Sequence, residues 1–138
     1  MLYTGSCDCG AVKYRYEGEA LAKAICHCIP CQKRSGSAFS VNIIANKSLF
    51  QILQGTTKTI DRVGDSGKPY HAHFCGDCGT TIYGEPESAP DMVSIKAGTL
   101  DTELSDLDAI DAEVYVVRRK TYLEPIAGVK QFDGMLSL

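Results

Sequence analysis

The chain contains 138 residues, of which 44% are hydrophobic and 22% charged, a balance typical of one soluble globular domain, predicted here to span residues 1–138. A formal charge of −3 and a sequence pI near 5.5 argue against nucleic acid and anionic membranes as partners, because both favour a clustered basic face. The first residues carry no basic segment followed by an apolar run, so a cytoplasmic protein is expected.

The first predicted strand lies shortly after the N-terminus. Val12, Tyr14 and Tyr16 alternate with Lys13 and Arg15, which is the period-two pattern of a strand with one buried face. Other short apolar segments, separated by glycine, proline and polar residues, follow the same logic. They predict strands at 39–45, 49–54, 57–63, 70–74, 92–97 and 113–117.

Turn-forming residues join two of these strands. The segment 64–68 reads Gly-Asp-Ser-Gly-Lys, so residues 57–74 are predicted to form a hairpin with a loop at its tip. Helical patterns are weak: a short turn is expected after Cys31, and the acidic segment 101–111 has too little apolar periodicity to predict a helix. The sequence therefore predicts a mainly β fold with antiparallel sheets.

Four of the seven cysteines form two pairs that are far apart in the sequence. Cys7 and Cys9 are two residues apart, so on an extended chain their sulfurs point to one side. Cys75 and Cys78 have the spacing of a zinc knuckle, and Gly79 accepts the positive φ that such a turn often needs. Together the pairs supply the four thiolates that close a structural zinc site. We call these four residues the four-cysteine cluster.

Cys26, Cys28 and Cys31 are the remaining cysteines, and we call them the three-cysteine cluster. In a reducing compartment structural disulfides are rare, so grouped cysteines indicate metal ligands or catalytic groups. Three protein ligands leave one coordination position for water or substrate, which is the arrangement of catalytic zinc sites. The division of seven cysteines into four and three thus predicts two zinc ions per chain, one structural and one catalytic.

A histidine is the main alternative as a fourth ligand for the second site. His71 and His73 lie on one face of the strand before the last cysteine pair, although strand histidines are more often surface or hydrogen-bonded groups. His27 is a weaker candidate, because it lies between two cysteines of its cluster and should point away from their shared face.

Two other kinds of cysteine chemistry are alternatives to zinc. The segment Cys28-Ile29-Pro30-Cys31 has the spacing of a thiol–disulfide oxidoreductase motif. Such motifs normally open a helix after a strand in an alternating α/β chain, whereas this pair follows another cysteine in surroundings predicted to be all β. An iron–sulfur cluster would need a fourth ligand that no single region supplies. Both points favour zinc.

Four motifs follow one another along most of the chain. They are Gly5-Ser6-Cys7-Asp8-Cys9-Gly10-Ala11-Val12, then Cys26-His27-Cys28-Ile29-Pro30-Cys31-Gln32-Lys33-Arg34-Ser35-Gly36, then Phe74-Cys75-Gly76-Asp77-Cys78-Gly79-Thr80, and Ala97-Gly98-Thr99-Leu100-Asp101. In this order they resemble the glutathione-dependent formaldehyde-activating enzyme family, whose zinc-binding domain also occurs in centromere protein V.

The resemblance implies a β-tent, a fold of short antiparallel sheets folded over cysteine-bound zinc. It also implies that the four-cysteine cluster holds the structural ion and the three-cysteine cluster the catalytic one. The family activity is the condensation of glutathione with formaldehyde to S-hydroxymethylglutathione, which is classified in reverse as a carbon–sulfur lyase reaction. The expected partner is therefore a small-molecule thiol, with glutathione as co-substrate.

Glutathione carries two carboxylates, and Lys33 and Arg34 follow Cys31 directly. These cations are predicted to bind the substrate near the metal, although a solvated basic turn explains them equally well. Two other functions stay open: a non-catalytic, zinc-stabilised binding or scaffold module, and a related enzyme that uses a different thiol or electrophile. No motif indicates an oligomeric state.

Overall fold

The computed structural model describes residues 1–101 and 109–136, and it is mainly β, as predicted. Single 3-10 turns cover Lys47–Leu49, Ala97–Thr99 and Val116–Arg118. The described helix and strands are β1 Leu2–Ser6, β2 Lys13–Glu17, β3 Ala22–Cys26, α1 Ile29–Ser35, β4 Ser40–Asn46, β5 Phe50–Gln54, β6 Thr57–Val63, β7 Pro69–Cys75, β8 Thr81–Pro86, β9 Met92–Lys96, β10 Ala112–Val114 and β11 Lys130–Gln131.

The strands form two sheets. The smaller has the order β1-β2-β5, and the larger has the order β11-β10-β3-β4-β9-β8-β7-β6. Most pairings are antiparallel, as predicted, but β10 runs parallel to both β3 and β11. Because β10 and β3 run the same way, their carboxyl ends meet, with Val114 opposite Cys26.

One apolar core joins the two sheets. Tyr3, Tyr14 and Tyr16 enter it from the smaller sheet, and Ile43 and Ile95 enter it from the larger one. All five side chains are buried, so both sheets lose one face to water. Across the described residues, no helix is long and apolar enough to cross a membrane.

Two sequence predictions for the strands are confirmed closely. Val12, Tyr14 and Tyr16 are buried, whereas Lys13 is exposed, so the alternating pattern identified the buried face of β2. The predicted hairpin is also present, because β6 and β7 pair antiparallel from Thr57 opposite Cys75 to the loop at 64–68.

Other local predictions need correction. The strand predicted at 113–117 ends at Val114, because Tyr115 has a positive φ of 54° and a 3-10 turn follows it. The turn expected after Cys31 is part of helix α1, which begins before that residue and ends at Ser35, because Gly36 follows with a φ of 65°. The segment 101–111 falls largely on residues 102–108, which lie outside the described residues.

Candidate metal centres

The four-cysteine cluster lies where the two sheets meet. Cys7 follows β1 of the smaller sheet and Cys75 ends β7 of the larger one, and the four sulfurs all lie within 4.8 Å of one another. The Cys7 and Cys9 sulfurs are 3.6 Å apart, and those of Cys9 and Cys75 are 3.8 Å apart. Sulfurs placed about 2.3 Å from a central zinc in a tetrahedron are about 3.8 Å from each other, so this cluster fits a zinc ion.

Two similar turns, one after each cysteine pair begins, set the positions of these sulfurs. The N–H of Gly10 donates to the carbonyl of Cys7 at 3.0 Å, and the N–H of Gly79 donates to the carbonyl of Cys75 at 2.8 Å. Both glycines have φ of 79°, a conformation that side chains with a Cβ rarely adopt. The N–H of Val12 also donates to the Cys7 sulfur at 3.2 Å. The glycines after each pair are therefore part of the ligand geometry.

The four sulfurs sit in unequal environments. Cys7 and Cys75 are buried in the apolar core, while Cys9 and Cys78 are exposed. Burial opposes ionisation of Cys7, but the N–H of Val12 and the sulfurs of Cys9 and Cys75 lower its pKa. The Thr80 hydroxyl, followed by backbone donors, lowers the pKa of Cys78 to about 6. A backbone donor at Ala11 lowers the pKa of Cys9, but the Cys7 sulfur and the other sulfurs outweigh it and raise this pKa to about 12. Cys7 and Cys78 are therefore the members of the cluster that favour the thiolate, the form of cysteine that binds metal.

The three-cysteine cluster lies at the end of β3 and the start of α1. Cys26 ends the strand, Cys28 is the N-cap of the helix, and Cys31 lies in its first turn, where its N–H donates to the Cys28 sulfur at 3.4 Å. The three sulfurs lie within 4.8 Å of one another, and within 1–101 and 109–136 no fourth histidine, cysteine or carboxylate joins them. This donor set fits a zinc ion with one exchangeable position.

A lysine from a distant strand faces this cluster. The neighbouring sulfurs of Cys26 and Cys28 lower the pKa of Cys31, and Lys96 and the Ser40 hydroxyl lower it further. Conversely, the sulfurs of Cys28 and Cys31 raise the pKa of Cys26. Negative charge is thus concentrated at Cys31, next to a cation that sequence reasoning missed.

Buried polar side chains hold Lys96 in place. Its Nζ donates to the Asn42 side-chain oxygen at 2.6 Å, and the Ser94 hydroxyl donates to the same oxygen at 3.1 Å. The Asn42 amide in turn donates to the Ser40 hydroxyl at 2.9 Å. These residues lie on β4 and β9, so the centre of the larger sheet supplies the polar wall of the cluster.

Tyr115 is a second nearby group that the sequence analysis did not identify. Among the described residues it is the one non-glycine residue with positive φ, a feature that often marks functional sites. Its hydroxyl donates to Asp65 at 2.8 Å, in the loop of the β6–β7 hairpin. Burial, Asp65 and the charges of Cys26 and Cys28 raise its pKa. The tip of the hairpin is therefore anchored next to the three-cysteine cluster.

The two predicted substrate contacts lie on the last turn of α1. Lys33 is exposed, whereas Arg34 is partly buried, with its guanidinium carbon 5.8 Å from the centre of the Tyr70 ring. Both residues lie within about one helical turn of Cys31. Helix α1 thus brings two cations to the neighbourhood of the cluster and orients one of them by contact with β7.

The histidines of β7 have other partners. The two ring nitrogens of His71 lie 2.7 Å from Asp61 and 2.8 Å from Glu87. The ring of His73 pairs with a threonine hydroxyl and with Glu85. Neither ring belongs to the group of three sulfurs, so the structure gives no support to a histidine as the fourth ligand.

One argument against the oxidoreductase alternative is wrong. Cys28 and Cys31 do open a helix directly after a strand, because Cys28 caps α1 and Pro30 fits its first turn. The remaining distinction is Cys26, whose sulfur lies within 4.8 Å of the other two. A third sulfur at that distance favours metal binding over a two-cysteine redox pair.

Comparisons with known proteins identify a family and a similar fold. A family model described as glutathione-dependent formaldehyde-activating enzyme matches residues 2–118. A protein of Halomonas elongata, provisionally named as such an enzyme, is 26% identical in an alignment of 108 residues that covers 75% of this chain and 69% of that protein. The crystal structure of a Rhodobacter sphaeroides protein is similar in fold, with a TM-score of 0.58 and 22% identity over 78% of this chain and 96% of that one.

Proposed function

Since the chain belongs to the glutathione-dependent formaldehyde-activating enzyme family, we propose that it is a zinc-dependent enzyme of the carbon–sulfur lyase type. Its reaction is the formation of S-hydroxymethylglutathione from glutathione and formaldehyde, in the cytoplasm, by one domain of residues 1–138. The four-cysteine cluster holds a structural zinc ion, and the three-cysteine cluster holds a catalytic one. Cys26, Cys28 and Cys31 are thus the residues on which the activity depends.

The observation that carries this proposal is the different number of sulfurs in the two clusters. One group offers four sulfurs within bonding geometry of a single ion, which completes the coordination of zinc. The other offers three sulfurs, with no fourth histidine, cysteine or carboxylate from the described part of the chain. Structural zinc sites use four protein ligands, whereas catalytic sites commonly use three.

The donor set of the three-cysteine cluster suits a thiol substrate. A zinc ion bound there provides one position for a soft ligand and lowers the pKa of a thiol that enters it. The ammonium of Lys96 offsets part of the negative charge that three thiolates and a fourth sulfur would concentrate. The charge of the site therefore tolerates a thiolate substrate.

The proposed reaction involves no oxidation or reduction. The thiol of glutathione loses its proton, and its sulfur forms a bond to the carbonyl carbon of formaldehyde. The π electrons of the carbonyl move to oxygen, which takes up a proton to give the hydroxymethyl group. One proton leaves the thiol and one proton enters the new hydroxyl group, so the step balances without a further reactant.

Substrate orientation is assigned to the cations of α1. Arg34 is held against Tyr70 and is positioned to bind one carboxylate of glutathione, and Lys33 contributes to the same positive surface. A guanidinium fits a carboxylate through two parallel hydrogen bonds, so Arg34 is expected to contribute more than Lys33. These contacts would hold the thiol near the three sulfurs.

Turnover is tested by following S-hydroxymethylglutathione formation above its spontaneous rate. The zinc-loaded protein should accelerate the reaction, and Cys28→Ser should remove the acceleration while the fold remains intact. His71→Gln is the matched control and should keep full activity. It removes a side chain of a type that can bind metal, but one that lies outside the cluster. Thiol binding without turnover above background would show that another thiol or electrophile is the substrate.

Thiol binding is tested separately, after cobalt has replaced zinc in the second site. Glutathione should raise the sulfur-to-cobalt charge-transfer absorption, and S-methylglutathione should leave it unchanged, because its sulfur has no proton to lose. A spectrum that no thiol perturbs would support the scaffold function instead. Absorption and turnover together thus separate the three candidate functions.

A further inference from the structure

His27 is buried between Cys26 and Cys28, and among the described residues its ring has one hydrogen-bond partner, the side chain of Glu113. The residue is 1% exposed, and its Nε2 lies 2.8 Å from a carboxylate oxygen of Glu113, which is 2% exposed. The other ring nitrogen is buried and has no hydrogen-bond partner. Burial of two such groups is costly unless they are paired, so the contact is a strong local constraint.

Glu113 is held by the C-terminal part of the chain. Its second carboxylate oxygen accepts from the N–H of Ile126 at 2.9 Å and from the Gln131 amide at 2.8 Å, and Arg119 lies 3.5 Å away. Although burial alone would raise the pKa of Glu113, these donors and His27 lower it to about 2. The carboxylate is therefore ionised and fully engaged at neutral pH.

The same loop is tied at a second point. The side-chain amide of Gln32 donates to the carbonyl of His27 at 2.8 Å and to that of Arg118 at 3.1 Å. The N–H of His27 also donates to the carbonyl of Val114 at 3.1 Å. Backbone and side chain of His27 are thus both bound to the segment that begins with β10.

Most of the side-chain and backbone groups that hold the Glu113 carboxylate lie beyond the residues that the family model matches. That match ends at residue 118, whereas Arg119, Ile126 and Gln131 follow it. The C-terminal segment also pairs its backbone with β10, since Phe132 donates to the carbonyl of Glu113 at 2.9 Å. The support of Glu113 is therefore a feature of this chain that the family model does not cover.

We propose that His27 and Glu113 are positioning residues for the three-cysteine cluster, and that the segment after residue 118 fixes that cluster from outside. Successive side chains of an extended segment point to opposite sides, so holding the His27 ring on one side directs the sulfurs of Cys26 and Cys28 to the other. This inference rests on the proposed function in one respect, namely that the three sulfurs bind a metal ion.

The three-cysteine cluster has particular need of such support. Its ligands come from one short loop, and none of them belongs to the apolar core that fixes Cys7 and Cys75. Groups behind metal ligands set the orientation of those ligands, and their removal typically costs about tenfold to a hundredfold in metal affinity. The His27–Glu113 contact is the corresponding group here.

The test measures zinc affinity at each site of the full-length protein by competition with a chromophoric chelator. Glu113→Ala should weaken the second zinc by about tenfold to a hundredfold and leave the first unchanged. His27→Leu should do the same, and the double variant should lose no more than either single one, because both changes break one contact. His27→Gln, which keeps an N–H donor, should recover part of the affinity.

A control separates positioning from a general loss of stability. Val93→Ala creates a cavity at a buried position in β9, away from the loop, and should lower the melting temperature while both zinc affinities stay at wild-type values. Hydrogen exchange of the zinc-loaded protein should increase at residues 26–31 in Glu113→Ala and remain unchanged there in Val93→Ala. If Glu113→Ala does not fold, His27→Leu and His27→Gln provide the same comparison.

The possible failures are distinguishable. Wild-type protein that takes up one zinc ion would overturn both this inference and the open site of the proposed function. Wild-type protein with two ions, together with His27 and Glu113 variants that keep both affinities or lose them equally, would overturn the positioning role alone. Catalytic activity enters none of these measurements.

Discussion

The two cysteine clusters differ in how they are connected to the rest of the fold. The four-cysteine cluster joins residues 66 positions apart, as the contact between Cys9 and Cys75 shows, and two of its side chains are part of the apolar core. The three-cysteine cluster is contained in one loop and helix start, and its sulfurs are all partly exposed. A metal ion in the first would link the two sheets, whereas one in the second would hold a local segment.

The clusters also differ in what surrounds their sulfurs. Around the four-cysteine cluster, backbone donors and glycine turns dominate. Around the three-cysteine cluster, side chains that are distant in the sequence dominate, among them Lys96, Tyr115 and Glu113. Ligand spacing alone therefore identifies both clusters, but it does not reveal which one has charged and polar side chains from other parts of the chain around it.

The largest expected effect is on the free energy of unfolding, when one cysteine of each cluster is replaced in turn. Cys75→Ser should lower the free energy of unfolding by about 4 kcal/mol or more, because a zinc ion linking the two sheets would lose one of its four ligands. Cys28→Ser should cost only about 1 kcal/mol, since its cluster links no distant segments. Thermal or urea unfolding of both variants gives the comparison, and equal losses would contradict the division of roles.

Metal content provides the second comparison. The purified protein should contain close to two zinc ions per chain by elemental analysis, as the two groups of sulfurs indicate. A chelator should remove the ion of the three-cysteine cluster first, because three ligands are easier to open than four. A single ion, with no second one taken up on titration, would leave the three-cysteine cluster without a metal role.

The third prediction concerns the cations of α1, which lie next to the three-cysteine cluster only. Arg34→Ala should raise the KM for glutathione by about tenfold, the typical worth of a hydrogen bond to a charged group. Lys33→Ala is the matched variant and should have a smaller effect, because this side chain is exposed. Neither change should alter the KM for an uncharged thiol, and an equal increase for that thiol would show that Arg34 acts by packing.

A smaller effect is expected in the turns of the four-cysteine cluster. Gly79→Ala should cost about 1–2 kcal/mol of stability, because φ at this position is 79° and a side chain strains the turn. Gly98→Ala is the control, since an added Cβ there meets no atom within 4 Å and φ is not positive. Urea unfolding should separate the two variants, and equal stabilities would mean that the turn conformation is unimportant.

The smallest effect concerns His71, on the strand that leads into the four-cysteine cluster. Asp61, followed by Glu87, raises the pKa of His71, so its contribution to stability is fully present below pH 6.5 and lost as pH rises through the raised pKa. The difference in melting temperature between wild type and His71→Gln should therefore be roughly 1 °C, largest near pH 5.5 and absent near pH 9. His71→Gln should also keep both zinc ions, and loss of one would identify this histidine as a fourth ligand.

Local sequence patterns were sufficient for part of the fold. The alternation around β2 predicted a strand because one of its faces is buried and the other is exposed. β3 was not predicted, because its Ala-Lys-Ala-Ile-Cys sequence has no such alternation and the strand lies inside the larger sheet. β8 was also missed, since it contains Gly84, where a Cβ would lie 1.8 Å from the Tyr70 hydroxyl. Gly84 is needed because the Tyr70 side chain of the neighbouring strand β7 leaves no room for a Cβ.

The sequence by itself determined the grouping of the cysteines, because short spacings restrict which sulfurs can approach one ion. It also indicated the mainly β fold and the family, since both depend on patterns within short segments. Only the tertiary structure decided that Lys96, Tyr115 and Glu113 surround the three-cysteine cluster. Their places follow from the parallel pairing of β10 with β3 and from the order of strands in the larger sheet, which bring together residues that no local pattern connects.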